Sequence, residues 1–458
     1  MELKNLLALE PAKLIAAIKG TVDYEPVETY IKEFAGTHTI LNRPDKTLAD
    51  KNVVTTAKLV VNLQKKIVNS SVFFLFGGDM RLLLESEDEP SDQQREAYDH
   101  FVAQWERAKL NTFNRNLARV LLSETRAAEL YYPVEETQEG AEAKFRYRVK
   151  LLAKSLGDEI YPFYDDFGDL VAFMRQYTKA IIKDDGSAGT TDITEIYTAD
   201  TNYVLTKAGS DWLVEKTTNT FKKIPVIFYE TSEADWTIVQ ALIDKLEDRF
   251  SKFDDTNDYF SSPAVKVSGK LVSSPEKGEI GKLFELAPDG KGGYGDVEYL
   301  TWDQSPDSMK MELEMLLELT YGLTDTPNLT FDRLKGLGSY SGAALRFLFM
   351  GAQMKSKVNQ DIFAEGIDRR ISLLKTMQAT FITKQTKALQ EIAIKADFGD
   401  PLPVDENETI TNIVSSFSTG IMSRETSLQK HPYIEDPTKE AERLATEDIA
   451  EPNAGLNE

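Results

Sequence analysis

The chain contains no cysteine, which removes disulfides, thiolate metal sites and cysteine nucleophiles together and suits a reducing cytoplasm. Histidine is scarce too: His38, His100 and His431 lie far apart without metal-ligand spacing, and no Ser/His/Asp arrangement is legible. No Walker lysine motif occurs, so the chain is not expected to hydrolyse a nucleotide. Long apolar runs are also missing. The most apolar, Val72 to Phe76, falls far short of the roughly 20 residues that span a bilayer. Met1 to Gly20 mixes Leu and Ala with Glu2, Lys4, Glu10 and Lys13, lacks an apolar h-region and a cleavage site, and reads as an amphipathic helix. These absences lead to an expectation of no catalytic residue, no metal, no cofactor and no membrane span.

What is present is a core and an excess of one charge. Of the 458 residues, 41% are apolar, enough for a buried interior shared among two to four domains. Against 53 basic residues stand 75 acidic ones, a formal charge of -22. Such a surface repels phosphate, which argues against tight, nonspecific binding to DNA.

Along the chain, Val53, Val54, Ala57, Leu59, Val60, Leu63, Ile67 and Val68 recur at steps of three and four, predicting a helix over Asn52 to Val68. A strand is expected at Val72 to Phe76, a break at Gly77 and Gly78, an acidic loop over Glu85 to Asp92, and helix from Gln93 to Leu130. Between Phe145 and Tyr229, short segments rich in Val, Ile, Tyr and Thr alternate with turn clusters, predicting antiparallel β structure. Ser232 and Asp235 then read as a capping box. The helix behind it, with Trp236, Val239, Leu242, Ile243, Leu246, Phe250 and Phe253 at helical spacing, would run about 33 Å.

A compact β segment follows, with Ala264 to Val267, Glu279 to Leu286 and Asp296 to Thr301 as candidate strands. Ser305 and Pro306 start a second helix through Met309, Leu313, Leu316, Leu317 and Tyr321. A small β module between two helices suggests a protrusion on a helical stalk. Beyond Gly322 come a loop bearing Pro327, Gly336, Gly338 and Gly342, a long helix from Gly342 to about Thr383, a strand over Ile392 to Phe398 and a charged helical tail from Thr409 to Ala450. The last residues, Glu451 to Glu458, are expected to fray.

Two motifs invite more than they carry. Gly290 to Gly295 has G-x-G-x-x-G spacing, but a strand follows where a phosphate cradle needs a helix, so a hairpin loop is the better reading. Asp254, Asp255, Asn257 and Asp258 crowd together without the glycine or the final glutamate of a calcium loop, and read as a solvated helix end.

Tyr30 to Leu41, Phe74 to Gly77, Ile160 to Asp165, Ile243-Asp244, Met309 to Leu323, Ser341 to Leu345 and Ile421 to Thr426, taken together and in this order, resemble segments of the portal proteins of long-tailed (siphovirus-like) bacteriophages. Tyr30 to Leu41, with Gly36 and His38, then Asn42, Asn52 and Phe74 to Gly77 resemble the opening of the wing; Ile160 to Asp165, Ile196 to Asp200 and Ile224 to Val226 resemble its β section. Ile243-Asp244 with Ser251 resembles the first stem helix, and Met309 to Leu323 the second. Ser341 to Leu345 is similar to the segment after the tunnel loop; Leu402 to Asp405, Ile421 to Thr426, Asp436-Pro437 and Glu440 resemble the carboxy-terminal part.

The resemblance implies an α+β portal fold: wing with amino-terminal arm at 1–231, stem helix at 232–260, clip at 261–304, second stem helix at 305–323, tunnel loop at 324–342, long helix returning to the wing at 343–403, and crown at 404–458. It implies a virion protein at the capsid's portal vertex, assembled in the host cytoplasm as a ring of about twelve subunits. That channel would carry double-stranded DNA in packaging and ejection. The partners implied are the major capsid protein, scaffold, terminase motor and head-tail adaptor.

In such a ring Trp236, Val239, Leu242, Ile243, Leu246, Phe250, Met309, Leu313, Leu316 and Leu317 would pack the stem. Arg333 and Lys335 would face DNA as cationic exceptions in an acidic bore, touching phosphates briefly without gripping them. The rivals are a hydrolase or nuclease, for which no convergent carboxylates are legible, and a non-channel structural or adaptor protein of a virion.

Overall fold

The computed structural model describes residues 3–20, 22, 24–47, 51, 53–85, 89–136, 144–182, 186–208, 211–261, 265–268, 271–273, 285–287, 296–299, 306–328, 347–401, 406–434 and 436–454. The chain forms two compact units, one of residues 1–328 with 351–399 and the other of 329–350 with 400–458. The fold is mixed α+β with several antiparallel sheets.

The first unit opens with helices α1 (Leu3–Leu7), α2 (Pro11–Lys19) and α3 (Glu25–Ala35) and a short hairpin of β1 (Lys46–Thr47) and β2 (Val53–Val54). Then come α4 (Leu63–Phe76), β3 (Arg81–Glu85), α5 (Asp92–Arg107) and α6 (Leu110–Glu124). The helix expected from Asn52 thus begins only at Leu63, where Asn62 accepts the Lys65 amide and caps it.

Val72 to Phe76, expected as a strand, is the last turn of α4. A short apolar run has no period, and this one is a helix end with Val72, Phe74, Leu75 and Phe76 all buried. The helix expected to reach Leu130 stops at Glu124; Thr125 turns the chain with φ of 67°, and alternation takes over.

The β section is β4 (Arg126–Glu136), β5 (Lys144–Leu152), β6 (Asp158–Tyr164), β7 (Leu170–Ile182), β8 (Ala188–Thr198), β9 (Thr201–Ala208), β10 (Asp211–Thr218) and β11 (Val226–Glu230). Strands β6 to β10 make an antiparallel meander in the order β10-β9-β8-β7-β6, and β11-β4-β5 form a second sheet. One face of the meander buries Tyr161, Met174, Ile196 and Leu205 beneath Leu6, Leu14, Ile15 and Ile18 of α1 and α2. That contact supplies the partner the amphipathic amino terminus requires.

The capping box expected at Ser232 and Asp235 does not form. Trp236 sits in a turn, Thr237–Val239 is a single 3₁₀ turn, and α7 (Gln240–Ser261) starts later. Asp235 instead accepts from Ser71 Oγ at 2.6 Å and pairs with Lys355 at 2.7 Å. Trp236 is fully buried against Phe34 and Tyr30, and its indole donates to Glu33.

Beyond α7 lie β12 (Val265–Ser268), β13 (Leu271–Ser273), β14 (Glu285–Leu286) and β15 (Asp296–Tyr299), paired β12 with β15 and β13 with β14. Most of the expected strand at Glu279 to Leu286, and the Gly290 to Gly295 motif, lie outside the described residues. Helix α8 (Pro306–Leu323) begins at the proline, as its fixed φ favours.

The long helix α9 (Met350–Phe381), whose expected start at Gly342 lies outside the described residues, is followed by α10 (Thr386–Glu391) and β16 (Ala393–Asp397). Strand β16 returns to pair with β3, Ala393 opposite Glu85 and Asp397 opposite Arg81. The second unit contains α11 (Glu406–Ser418), α12 (Arg424–Lys430) and α13 (Pro437–Ala454). Gly420 ends α11 at φ of 73°, a conformation strained for other residues, and Ser423 caps α12 through the Thr426 amide. No helix among the described residues is long and apolar enough to cross a membrane.

Candidate functional site

Helices α7 and α8 bracket the small β module, and their geometry follows from what each helix face touches. Ile243 and Leu246 of α7 are fully buried; Leu242 and Phe250, with Leu313, Leu316, Leu317 and Tyr321 of α8, are half-buried against the same core. An ion pair, Arg249 Nε to Glu312 Oε1 at 2.8 Å, links the two helices. Trp236 and Val239 precede α7 and belong to the core beneath it, while Met309 is only partly covered.

A second attachment of α7 was not legible in the sequence. The extended segment before α4 presents alternate amides to one stripe of α7: Ala57 N donates to Asp255 at 2.7 Å, Leu59 N to Ser251 Oγ at 2.9 Å and Val61 N to Glu247 at 2.8 Å. Two residues of extended chain span about 6.6 Å and four residues of helix about 6.0 Å, so the two repeats match over three bonds. Asp255 also pairs with Arg43 at 2.8 Å; against the cost of burial, the Ala57 amide and that guanidinium hold its carboxyl below the usual range. It is a docking residue, not the solvated helix end its acidic neighbours suggested. No group of candidate metal ligands occurs among the described residues.

Glu247 carries a further load. His38 Nδ1 lies 2.5 Å from Glu247 Oε1, and its Nε2 lies 2.8 Å from the Glu33 carbonyl, both side chains being sealed from solvent. A carbonyl only accepts and a carboxylate is an acceptor, so the ring donates from both nitrogens as an imidazolium. Burial opposes that charge, but the Glu247 and Glu33 hydrogen bonds outweigh it and His38 is raised above its ordinary 6.5.

The stability this adds is therefore complete below 6.5 and fades as pH rises through the higher folded value. The urea midpoint of the natural protein should exceed that of His38→Gln by a margin that narrows between about pH 6 and about pH 9. An identical margin at both ends would mean the ring carries no charge.

The outer surface of α8 is unexpectedly apolar. Met311, Met315, Leu319 and Leu323, spaced by four, are 61%, 56%, 45% and 52% exposed. On α9, Met354 and Val358 are similarly bare, and Lys355 between them donates to the Thr324 carbonyl at the end of α8. Among the described residues neither stripe is covered. Elsewhere on α7 and α8 carboxylates outnumber cations.

Deeper in α9, Arg370 is fully buried and forks onto Glu129 of β4, with Nε at 2.9 Å from one oxygen and Nη2 on the other. Its Nη1 donates to Asn114 of α6 at 2.6 Å, and Tyr131 and Tyr229 each donate to Glu129 at 2.6 Å. Burial works against the guanidinium, yet the facing carboxylate and phenols raise its pKa; burial, more than Glu129, pushes both tyrosines well up. The cluster ties α9, β4, β11 and α6 together. Arg333 and Lys335, the expected DNA-facing residues, lie outside the described residues.

No curated protein matches the sequence. Among solved structures, a chain in the virion of a native gene transfer agent (GTA) particle aligns at TM-score 0.36 and 11% identity, over 88% of this chain and 92% of that one. A chain from the neck of a native GTA particle computed with C12 symmetry aligns at TM-score 0.32 and 12% identity, over 80% of this chain and 91% of that one. The family description "Phage portal protein, SPP1 Gp6-like" matches residues 20–453. With nearly every described element inside that span, the chain belongs to the SPP1 Gp6-like family of phage portal proteins, structural and non-enzymatic components of the virion's portal vertex.

Proposed function

We propose that copies of this chain close into a ring of about twelve around a channel through which DNA is packaged and later ejected. In this reading α7 and α8 are the stem, the module of β12 to β15 is the clip that meets the terminase motor and then the head-tail adaptor, and the β-rich first part is the wing that meets capsid protein and scaffold. The tail from residue 404 is the crown, and residues 324–342 form the tunnel loop from which Arg333 and Lys335 reach DNA.

The observation that carries the proposal is the family match over residues 20–453. It is supported by the bare stripe of Met311, Met315, Leu319 and Leu323, which a neighbouring subunit would cover. An acidic stem suits such a channel: carboxylates shorten the stay of a duplex at any point, so that the motor moves it instead of freeing it.

Negative-stain images and native mass of the full chain should show rings. Replacing Met311 and Met315 together by glutamate should leave folded single subunits, since each buried methionine is worth about 1.5–3 kcal/mol per contact and the change repeats around the ring. Arg333→Ala with Lys335→Ala should instead leave rings intact and alter packaging or DNA retention. Compact single subunits at every concentration, with scaffold present, would sink the ring.

A further inference from the structure

A cleft of about 670 Å3 opens beside the second half of α9, between that helix, α10 and the start of β16. Its walls include Ile371, Leu389, Ile392 and Ile394, all at or near full burial. Two lysines reach into it. Lys223 Nζ donates to Ser372 Oγ at 2.7 Å and to the Ser372 carbonyl at 3.3 Å, and Lys375 Nζ donates to the Ile392 carbonyl at 2.7 Å.

Both ammonium groups thus bond to neutral partners, and Asp368 is the one carboxylate on the lining among the described residues. Desolvation lowers the pKa of both lysines, and for Lys375 the repulsion from Lys223 adds to it. On a chain of net charge -22, two neighbouring cations facing one apolar cleft make an unusual local reversal.

We propose that this cleft captures a carboxylate carried by an extended, apolar segment of another protein, with Lys223 and Lys375 closing on the carboxylate and Ala379, Ala393 and the methyl group of Thr376, above the buried isoleucines, lying against its apolar neighbours. Three observations favour a peptide. A second cleft of about 760 Å3 shares Lys223 and Ser372, so a bound chain has room to continue past the lysines. Strand β16 has β3 as its only strand partner among the described residues, and its first residues line the cleft, where a peptide backbone finds donors and acceptors. A duplex would need a run of cations, whereas the described lining offers two lysines on a chain of net charge -22.

The test uses the full chain in whatever assembly it forms, and three probes. One is a fluorescein-labelled peptide of alternating valine and threonine carrying a single aspartate, the second is the same peptide with asparagine in that place, and inorganic phosphate is the competitor. The aspartate peptide should bind saturably by anisotropy, and the asparagine peptide about tenfold more weakly or worse. Lys223→Met with Lys375→Met should weaken the aspartate peptide to the level of its neutral twin, while circular dichroism and the thermal midpoint stay unchanged.

Absence of saturable binding, equal binding of the two peptides, or undiminished binding to the double variant overturns the proposal. Displacement of the peptide by phosphate at equal concentration also overturns it, because it would mark a site for free anions instead of a protein segment.

Discussion

Arg370→Leu is expected to lower the stability of the subunit by about 3–5 kcal/mol, because it leaves Glu129 charged, fully buried and without its counter-ion. Tyr131 and Tyr229 still donate to the carboxylate, but two phenols do not offset the desolvation of an anion. The loss should be read from urea unfolding as a fall in midpoint with unchanged slope. Glu129→Gln should cost a similar amount for the mirror-image reason, since the guanidinium then keeps only amide oxygens such as that of Asn114, and the nearby rings of Trp105 and Phe113. Joining Arg370→Leu to Glu129→Leu should recover part of the loss, the Asn114 and tyrosine groups remaining unmatched. If either single change costs no more than the roughly 0.5 kcal/mol of a surface substitution, the cluster does not hold the long helix in place.

Gly366→Ala should also destabilise strongly, against the usual sign for a helix. In a solvated helix this change stabilises by about 1 kcal/mol. Here an added Cβ would collide with Cε1 and Cζ of Tyr229, and that ring is not free to swing, because its hydroxyl is held on Glu129. The helix and strand must therefore separate, and a cost of about 3 kcal/mol, at the upper end for overpacking, is expected in a thermal melt. A double change with Tyr229→Leu should cost less than the sum of its parts by more than about 1 kcal/mol, the mark of a shared contact. An alanine variant as stable as the natural protein would show that Tyr229 yields.

These two sites show where sequence reasoning stopped. The β section, the two helices around a small β module and the proline start of α8 were all legible, because alternation, period and turn residues are local signals. Val72 to Phe76 was misread because a short apolar run looks alike in a strand and in a buried helix end. The contacts that fix α7 and α9 join residues far apart: Ala57 meets Asp255 across 198 positions and Arg370 meets Glu129 across 241. Nothing in a single sequence pairs them.

One signal was nevertheless present. Phe363, Ile367, Arg370, Leu374 and Met377 follow one another at steps of four and three, and all five are buried. An arginine on the apolar stripe of a helix is a request for a buried acid, whereas its neighbours Asp368 and Arg369 lie on the exposed face. The acidic group at Asp254 to Asp258 failed in the opposite way: its charge suggested solvent, and Asp255 turned out to hold a backbone amide.

The pairing of β3 with β16 also bears on the order of events during synthesis. Roughly 300 residues separate the two strands, so at about 5–20 residues per second a ribosome needs some 15 to 60 seconds after making the first before the second exists. Until then Leu82 and Leu84 of β3 lack the neighbours that Ile394 and Ala396 provide. A nascent chain therefore cannot close this sheet, or cover those two leucines from the β16 side, until the ribosome has passed Asp397.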